Sequence, residues 1–240
     1  MKIKRISDST ARNFKMRLMH VSDTHGGFPR LHGSYDCVVH TGDFFPDSPD
    51  FKSGNKVQHA VFQMKWMEDN VKTMKQQLQG HPYLFILGNH DFVNSQMLES
   101  FLCSEGIKAI DLTDKLVNHQ GINFYGFPYV PAINGMFNYE REIPEMQVEV
   151  DKMMATVTAT YSTQLDVLVC HAPPHKTLDL SKGNVILGSS VLANALDYKF
   201  AADRMPTYYL CGHIHCAAGL SLRNGMLVSN AACVQHILEI

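Results

Sequence analysis

The sequence predicts an α/β domain in which strands and helices alternate along the chain. Short apolar runs that end in polar motifs are followed by segments whose apolar residues recur at helical spacing, a pattern typical of layered α/β packing. The 240 residues, 45% of them hydrophobic, are enough for one large buried core. No stretch has the Pro, Gly or Ser content of a linker. We therefore expect one domain over residues 16–240, preceded by an N-terminal appendage over residues 1–15.

Nine segments are predicted to be strands. The four strongest are Arg17–Ser22, Tyr35–His40, Pro82–Leu87 and Asp166–Cys170. Five weaker ones are Lys115–Asn118, Ile122–Gly126, Thr207–Cys211, Leu220–Arg223 and Met226–Ser229. Between the last two, Asn224-Gly225 is a type I′ turn signal and predicts a β-hairpin. Because a hairpin is antiparallel, we expect mixed rather than purely parallel sheets.

Four helices are predicted between the strands. They are Val57–Gln79, Asn94–Cys103, Glu145–Tyr161 and Ser189–Leu196. The first is the clearest, because its apolar residues step by four and three and Gly80 follows as a stop. Its stripe is predicted to be a buried core face and consists of Val57, Val61, Met64, Met67, Val71, Met74 and Leu78.

Composition excludes several classes of protein. A formal net charge of −2 without a visible basic patch argues against a dedicated nucleic-acid or membrane-surface protein. No apolar run reaches the roughly 18 residues of a membrane span, and no signal-peptide segment opens the chain. The six cysteines show no Cys-x-x-Cys spacing, which favours reduced thiols. We expect a cytoplasmic protein, and the sequence gives no signal for its oligomeric state.

Polar residues that can bind metals follow five of the predicted strands. They are Asp23, His25, Asp43, Asn89, His171, His213 and His215. The carboxyl ends of parallel strands meet at one edge of a sheet, where open α/β sheets bind their ligands. Two neighbouring divalent ions need about this number of N and O donors, including one carboxylate that bridges. Carboxylate and amide oxygens mixed with imidazoles suit Mn²⁺, Fe, Zn²⁺ or Ni²⁺ better than Ca²⁺.

His90 is predicted to have a different role from its neighbour Asn89. Successive residues point apart, so His90 cannot easily bind the ion that Asn89 contacts. We therefore expect His90 to act as an acid or a charge stabiliser. His40 and His20 are candidates for orienting the ligands. His59 is expected to be a surface or structural residue.

The five motifs together resemble those of the calcineurin-like metallophosphoesterase superfamily. The matching segments are Asp23-Thr24-His25, Gly42-Asp43, Gly88-Asn89-His90-Asp91, His171 and Gly212-His213-Ile214-His215. The resemblance implies a four-layer αββα sandwich of two mixed sheets flanked by helices. It also implies one metal bound by Asp23, His25, Asp43 and His215, and a second bound by Asp43, Asn89, His171 and His213.

The implied reaction is hydrolysis of a phosphoric ester. Two ions about 4 Å apart lower the pKa of a bridging water, so that the resulting hydroxide displaces the leaving group in line. His90 is then expected to protonate the leaving oxygen or to stabilise charge on the phosphoryl group. Asp47 is the candidate for its orienting partner. Mn²⁺ is the expected metal, with Fe, Zn²⁺ and Ni²⁺ as alternatives.

The segment after Gly42-Asp43 indicates the branch of the superfamily. Protein serine/threonine phosphatases carry an arginine there that grips the phosphomonoester, whereas this chain continues Phe44-Phe45-Pro46. Other local matches, such as His171-Ala172-Pro173-Pro174, resemble the small phosphodiesterase branch that includes the brain metallophosphoesterase-domain proteins. The expected substrate is therefore a small phosphodiester such as a cyclic nucleotide. The alternatives are a phosphomonoesterase or protein serine/threonine phosphatase and, in another class, a catalytically silent interaction scaffold.

Overall fold

The computed structural model describes residues 15–53, 55–159, 164–200 and 205–240. The predicted appendage therefore lies outside the described residues except for Lys15. The helices are α1 (Lys56–Leu78), α2 (Ser95–Ser104), α3 (Ile143–Thr158) and α4 (Ser190–Tyr198). The strands are β1 (Arg17–Val21), β2 (Cys37–Thr41), β3 (Tyr83–Ile86), β4 (Ala109–Asp111), β5 (Leu116–His119), β6 (Ile122–Phe127), β7 (Val130–Pro131), β8 (Glu140–Arg141), β9 (Val167–Cys170), β10 (Tyr208–Cys211), β11 (Gly219–Arg223), β12 (Met226–Asn230) and β13 (Gln235–Glu239).

Two large sheets share the strands. The first has the order β13-β1-β2-β3-β4, in which β1 to β4 are parallel and β13 pairs antiparallel with β1. The second has the order β11-β12-β10-β9-β6-β5, with parallel pairs in the middle and an antiparallel pair at each edge. Strands β7 and β8 form a separate parallel pair. The predicted mixed sheets are confirmed.

Alternation along the strands produces four layers. In β1, Leu18 points into the apolar core between the two sheets, whereas Met19 points into the core beneath α1 and α2. The second sheet alternates in the same way, with Val169 between the sheets and Leu168 against α3 and α4. Since successive side chains of a strand face opposite sides, each sheet buries both of its faces. The result is the helix–sheet–sheet–helix sandwich that the resemblance implied.

The nine predicted strands are present, with ends shifted by one or two residues. The predicted hairpin is present as well, and Asn224 and Gly225 both have positive φ, as a type I′ turn requires. Four further strands were missed, namely β4, β7, β8 and β13. The first three have two or three residues each. Strand β13 is an edge strand that mixes polar and apolar residues, so its sequence carries a weak signal.

The predicted buried stripe of α1 is wrong for the first half of the helix. Val57 and Val61 are 74% and 66% exposed, and His59 and Gln63 are buried in their place. From Met67 to Leu78 the stripe is buried as predicted. The first half packs on polar loops of the site described below, and their backbone groups require hydrogen-bonding partners. Helix α3 begins two residues before its predicted start, and its predicted end at Tyr161 lies outside the described residues.

Candidate metal centre

All seven predicted donors lie at the carboxyl ends of parallel strands, where the two sheets meet. Those of the first sheet follow β1, β2 and β3, and those of the second follow β9 and β10. The contact between the sheets is direct, since Asp43 Oδ2 after β2 lies 3.3 Å from His171 Nε2 after β9. Donors that are up to 192 residues apart in the chain therefore share one site.

The first group of donors consists of Asp23, His25 and His215. One nitrogen or oxygen of each lies within 4.8 Å of the others, close enough to hold one ion. His215 Nε2 is 3.1 Å from Asp23 Oδ1. The backbone N–H of His213 donates to Asp23 Oδ2 over 2.9 Å, which fixes the carboxylate. This group is the more open one, because the His215 side chain is half exposed.

The second group consists of Asp43, His171 and His213, again within 4.8 Å of one another. Asn89 joins it, with Oδ1 2.9 Å from His171 Nε2. His171 Nδ1 lies 2.8 Å from the carbonyl oxygen of Thr41, which can only accept a hydrogen bond. Nδ1 therefore carries a proton, so Nε2 is the ring nitrogen that could bind an ion after it gives up its own proton.

Asp43 lies between the two groups. Its Oδ2 is 3.3 Å from His171 Nε2 in the second group and 4.0 Å from His25 Nε2 in the first. Its Oδ1 accepts the backbone N–H of His90 over 2.8 Å. The carboxylate is buried and held on both oxygens, which is the position that a bridging ligand requires.

The backbone at the site is strained and tightly packed. Asp23, His25, Asp43 and His213 all have φ between 44° and 67°, a left-handed region that residues other than glycine rarely adopt. Such residues concentrate at functional sites because the surrounding structure holds them. Gly212 is required for the same packing, since a Cβ there would lie 2.1 Å from Asp23 Oδ2. Any residue other than glycine at position 212 would therefore displace the Asp23 carboxylate.

The histidines differ in protonation. Burial and the charge of His171 lower the pKa of His213 to about 4, so that its imidazole is neutral at pH 7. Burial also lowers the pKa of His171, but the charge of Asp43 and the contact between them outweigh it and raise that pKa to about 9. In Asp43, burial favours the neutral acid, yet the same pairing lowers its pKa. A cation that replaces the proton of His171 would gain the same attraction to Asp43.

His90 has a setting of its own beside these donors. Its Nδ1 lies 2.8 Å from Asp47 Oδ1, so the contact predicted for Asp47 is present. Phe51 stacks parallel to the imidazole with ring centroids 5.4 Å apart, and the Phe137 ring lies 4.7 Å away. Burial lowers the pKa of His90, but the hydrogen bond to Asp47 and the charge of Asp43 raise it above its ordinary value. The ring is therefore suited to carry a proton near neutral pH.

Two buried residues that sequence reasoning passed over hold the loops in place. Gln63 Nε2 donates to the carbonyl oxygen of His90 over 2.7 Å, and its Oε1 accepts the N–H of Phe92 over 2.7 Å. The Asp91 carboxylate accepts the backbone N–H groups of Gly88, Phe44 and Phe45. Asp91 thus joins the loop after β3 to the loop after β2. Gln63 could have been found from the sequence, because it lies four residues before Met67 and so on the buried face of α1.

His40 and His20 contact the surroundings of the donors. The N–H of Gly42 donates to His40 Nδ1 over 3.1 Å, and His40 Nε2 lies 3.2 Å from Thr24 Oγ1. Burial lowers the pKa of His40 to about 3, so the ring is neutral. His20 lies between Ser229 and Thr41 at hydrogen-bonding distance. His59 is buried against Phe51, and its Nδ1 lies 2.6 Å from Ser48 Oγ, in agreement with a structural role.

Comparison with protein families gives one match that covers most of the chain. The model described as calcineurin-like phosphoesterase matches residues 16–217. The chain belongs to this family. Calcineurin-like phosphoesterases are hydrolases that act on phosphoric esters and use a dinuclear divalent metal centre. No curated protein matches the sequence.

Solved structures support the fold of this calcineurin-like phosphoesterase. One crystal structure matches with a TM-score of 0.63 and 14% identity over 91% of both chains. The protein TT1561 of Thermus thermophilus matches with a TM-score of 0.57 and 11% identity over 91% of this chain and 90% of the other. A Staphylococcus aureus protein assigned as a 5′-nucleotidase matches with a TM-score of 0.50 and 11% identity, over 90% of this chain and 48% of the other. At these identities the likeness concerns the fold.

The donor set fits the metal centre that the family uses. Two groups of N and O atoms converge on Asp43, and the imidazoles and carboxylates are the ligand types that borderline divalent ions accept. The donors open onto a cleft of about 450 Å³ that is lined by His25, Asp43, Asp47, Asn89, His90, Ile133, Phe137, His213 and His215. No lysine or arginine is among these lining residues of the described chain. Bound metals would therefore supply the positive charge for a phosphoryl group.

Proposed function

We propose that this calcineurin-like phosphoesterase is a dinuclear metal-dependent phosphodiesterase that hydrolyses small phosphodiesters, such as cyclic nucleotides. The position of Asp43 is the observation that carries the proposal, because one buried carboxylate faces two donor groups at the base of a cleft. His90 beside it supplies an acid, and the cleft carries no further side-chain cation among the described residues.

The proposed coordination uses both donor groups. One ion would be held by Asp23, His25, Asp43 and His215, and the other by Asp43, Asn89, His171 and His213. We propose Mn²⁺ as the working metal, since harder oxygen donors balance the imidazoles in both sets. When bound, the ions would activate a water and withdraw charge from the phosphoryl oxygens.

The remaining steps belong to side chains of the cleft. Asp47 holds Nδ1 of His90 and leaves Nε2 to give its proton to the leaving oxygen. The Asp43 carboxylate fixes the backbone of His90 as well, through its N–H. Asp43 therefore contacts both the proposed acid and the proposed metal ligands. We infer that the distance between His90 and the phosphoryl group is set by this shared contact.

The residues after Asp43 support a diester over a monoester. No arginine follows directly after Asp43, and Phe44 and Phe45 are both buried in the core beneath α1 and α2. A phosphomonoester carries one more negative charge than a diester near neutral pH. Without a clamping side chain, the second charge would have only the metals to interact with. A monoanionic diester fits this charge better.

The test is a comparison of two chromogenic substrates. Protein loaded with Mn²⁺ is expected to hydrolyse bis(p-nitrophenyl) phosphate with a higher kcat/KM than p-nitrophenyl phosphate. The Asp43→Asn variant, purified in the same way, controls for contaminating phosphatases. A preference for p-nitrophenyl phosphate would identify a phosphomonoesterase. The absence of metal-dependent hydrolysis of both substrates would favour the silent scaffold.

We propose further that residues 16–240 act as one domain in the cytoplasm. Strand β13 near the end of the chain pairs with β1 and so joins residues beyond 217 to the matched region. All six cysteines are free thiols, which suits a reducing compartment. No helix among the described residues is long and apolar enough to span a membrane. Fractionation of cells that express the tagged chain would test the location.

A further inference from the structure

Two apolar residues from the segment between β7 and β8 line the cleft, and one of them lies directly beside His90. Of the described residues that line the cleft, Ile133 and Phe137 are the apolar ones, and Ile133 is 52% exposed. These two residues are called the apolar patch below. The centroid of the Phe137 ring is only 4.7 Å from that of His90. When a ligand covers apolar surface that is exposed to water in a cleft, the free energy of the complex is lowered.

The apolar patch is held in place by contacts on both sides. Phe51 packs against both the His90 ring and the Phe137 ring at 5.4 Å between centroids. The Lys56 ammonium donates to the carbonyl oxygen of Phe137 over 2.7 Å. Next to it, the Asn138 N–H donates to the carbonyl oxygen of Asn89, and its side-chain amide donates to that of Asp91, both over 2.9 Å. Phe137 is therefore fixed to the same loop that carries Asn89 and His90, and Ile133 belongs to the same segment between β7 and β8 as Phe137.

We propose that the apolar patch is the leaving-group subsite and that the leaving group carries a flat aromatic ring, such as a nucleobase or an aryl group. The inference rests on the proposed function, in which His90 gives its proton to the leaving oxygen. The group bonded to that oxygen must then lie next to the neighbours of His90. Phe137 is such a neighbour and offers a ring for offset stacking, and Ile133 lines the same cleft.

The charge near His90 further limits which leaving groups the subsite can accept. Asp47 lies beside His90 and also lines the cleft, whereas no described lysine or arginine does. A leaving group with additional phosphates would approach this carboxylate without a side-chain counter-charge. The subsite therefore selects an uncharged leaving group.

The experiment varies the leaving group and the retained group separately. In the first series, methyl phenyl phosphate is compared with methyl 2-naphthyl phosphate, whose leaving groups have similar acidity. In the second, p-nitrophenolate leaves in both substrates and the retained group is methyl or benzyl. With Mn²⁺-loaded protein, we expect naphthyl to be preferred over phenyl in kcat/KM by a factor on the order of ten. Phe137→Ala should bring this ratio close to one and leave the ratio of the second series unchanged.

Ile133→Asn repeats the test at an exposed position where folding is not at risk, and it should lower the naphthyl preference as well. Its matched control is Ile143→Asn, which alters a 69% exposed isoleucine outside the cleft lining. An unchanged naphthyl-to-phenyl ratio in both cleft variants would overturn the subsite while the diesterase stands. A change confined to the second series would assign the patch to the retained group and also overturn the inference. If no diester is hydrolysed, the proposed function falls and the inference with it.

Discussion

The two walls of the cleft are built in different ways. The ligand wall consists of the seven predicted metal donors, which directly follow parallel strands of both sheets. The His90 wall consists of His90, Asp47, Ile133 and Phe137, of which only His90 lies close to the end of a strand of the two large sheets. The donors are thus positioned by the sheets themselves. The His90 wall depends on packing between the loops after β2, β3 and β7.

The comparison assigns separate jobs to the walls. The ligand wall combines carboxylates and imidazoles, and we propose that it determines whether metals bind. The His90 wall places aromatic rings around one imidazole, and we propose that it acts on the leaving group. Substitutions on one wall should therefore leave the function of the other intact.

The largest effect is expected for Asp43→Asn on the ligand wall. The neutral amide removes the charge that faces both donor groups, so both metals should be lost and hydrolysis of bis(p-nitrophenyl) phosphate abolished. Metal content after gel filtration, measured by mass spectrometry, checks the result. Asp69→Asn on the exposed face of α1 is the matched control and should retain both metals. Two ions retained in Asp43→Asn would show that Asp43 is not the shared ligand.

His90→Ala should have the next largest effect, and it should lower kcat without changing the metal content. Loss of a general acid lowers the rate by about 10²–10⁴-fold, whereas both metals should stay bound. The measurements are kcat and metal content of the same preparation. His32→Ala, an exposed histidine outside the cleft lining, serves as control. Metal loss in His90→Ala would make this residue a ligand and end the separation between the walls.

Asp47→Asn should change the pH dependence of kcat. The hydrogen bond to the Asp47 carboxylate and its negative charge raise the pKa of His90. The amide oxygen of asparagine can still accept the Nδ1–H but carries no charge, so that pKa should fall in the variant. A general acid works in its protonated form, and activity is lost as pH rises through its pKa. The falling limb on the basic side should therefore move to lower pH in the variant. If the basic limb of the kcat profile stays at the same pH, Asp47 does not set the pKa of the general acid.

The smallest effect on activity is expected for Gln63→Met. The change removes the hydrogen bonds to the His90 carbonyl oxygen and the Phe92 N–H, two buried groups. Each buried group left unsatisfied costs about 1–3 kcal/mol, so the free energy of unfolding should fall and kcat should fall less than in His90→Ala. Urea unfolding of the variant is compared with that of Gln76→Met, an exposed position on the same helix. Equal stability of the two variants would contradict the supporting role.

The difference between the walls also explains what the sequence could predict. Donors that directly follow a strand, such as Asp43 after β2, inherit their position from the sheet, so local pattern was enough to find them. The αββα order of layers came from the resemblance rather than from periodicity. Phe137 was not predicted as a site residue, because its position comes from a loop that Lys56 and Asn138 hold in place over long sequence distances. Asp47 was proposed from its proximity to Asp43 alone.

The exposed valines of α1 show a second limit. Val57 and Val61 follow the helical period of the core stripe, yet His59 and Gln63 take the buried face. Periodicity predicts which residues would gain most from burial beneath an apolar sheet. Periodicity carries no information about the packing partner, and the first half of this helix covers polar loops. Hydrogen-bond demand there outweighs apolar burial.

The proposed metal centre places Asp43 between two metal ions. Crystals grown with Mn²⁺ and measured near the manganese absorption edge would show the ions as anomalous difference peaks. We expect two peaks about 3.5–4 Å apart, one on each side of the Asp43 carboxylate. One peak should lie among Asp23, His25 and His215, and the other among Asn89, His171 and His213. A single peak, or a pair that does not contact Asp43, would contradict it.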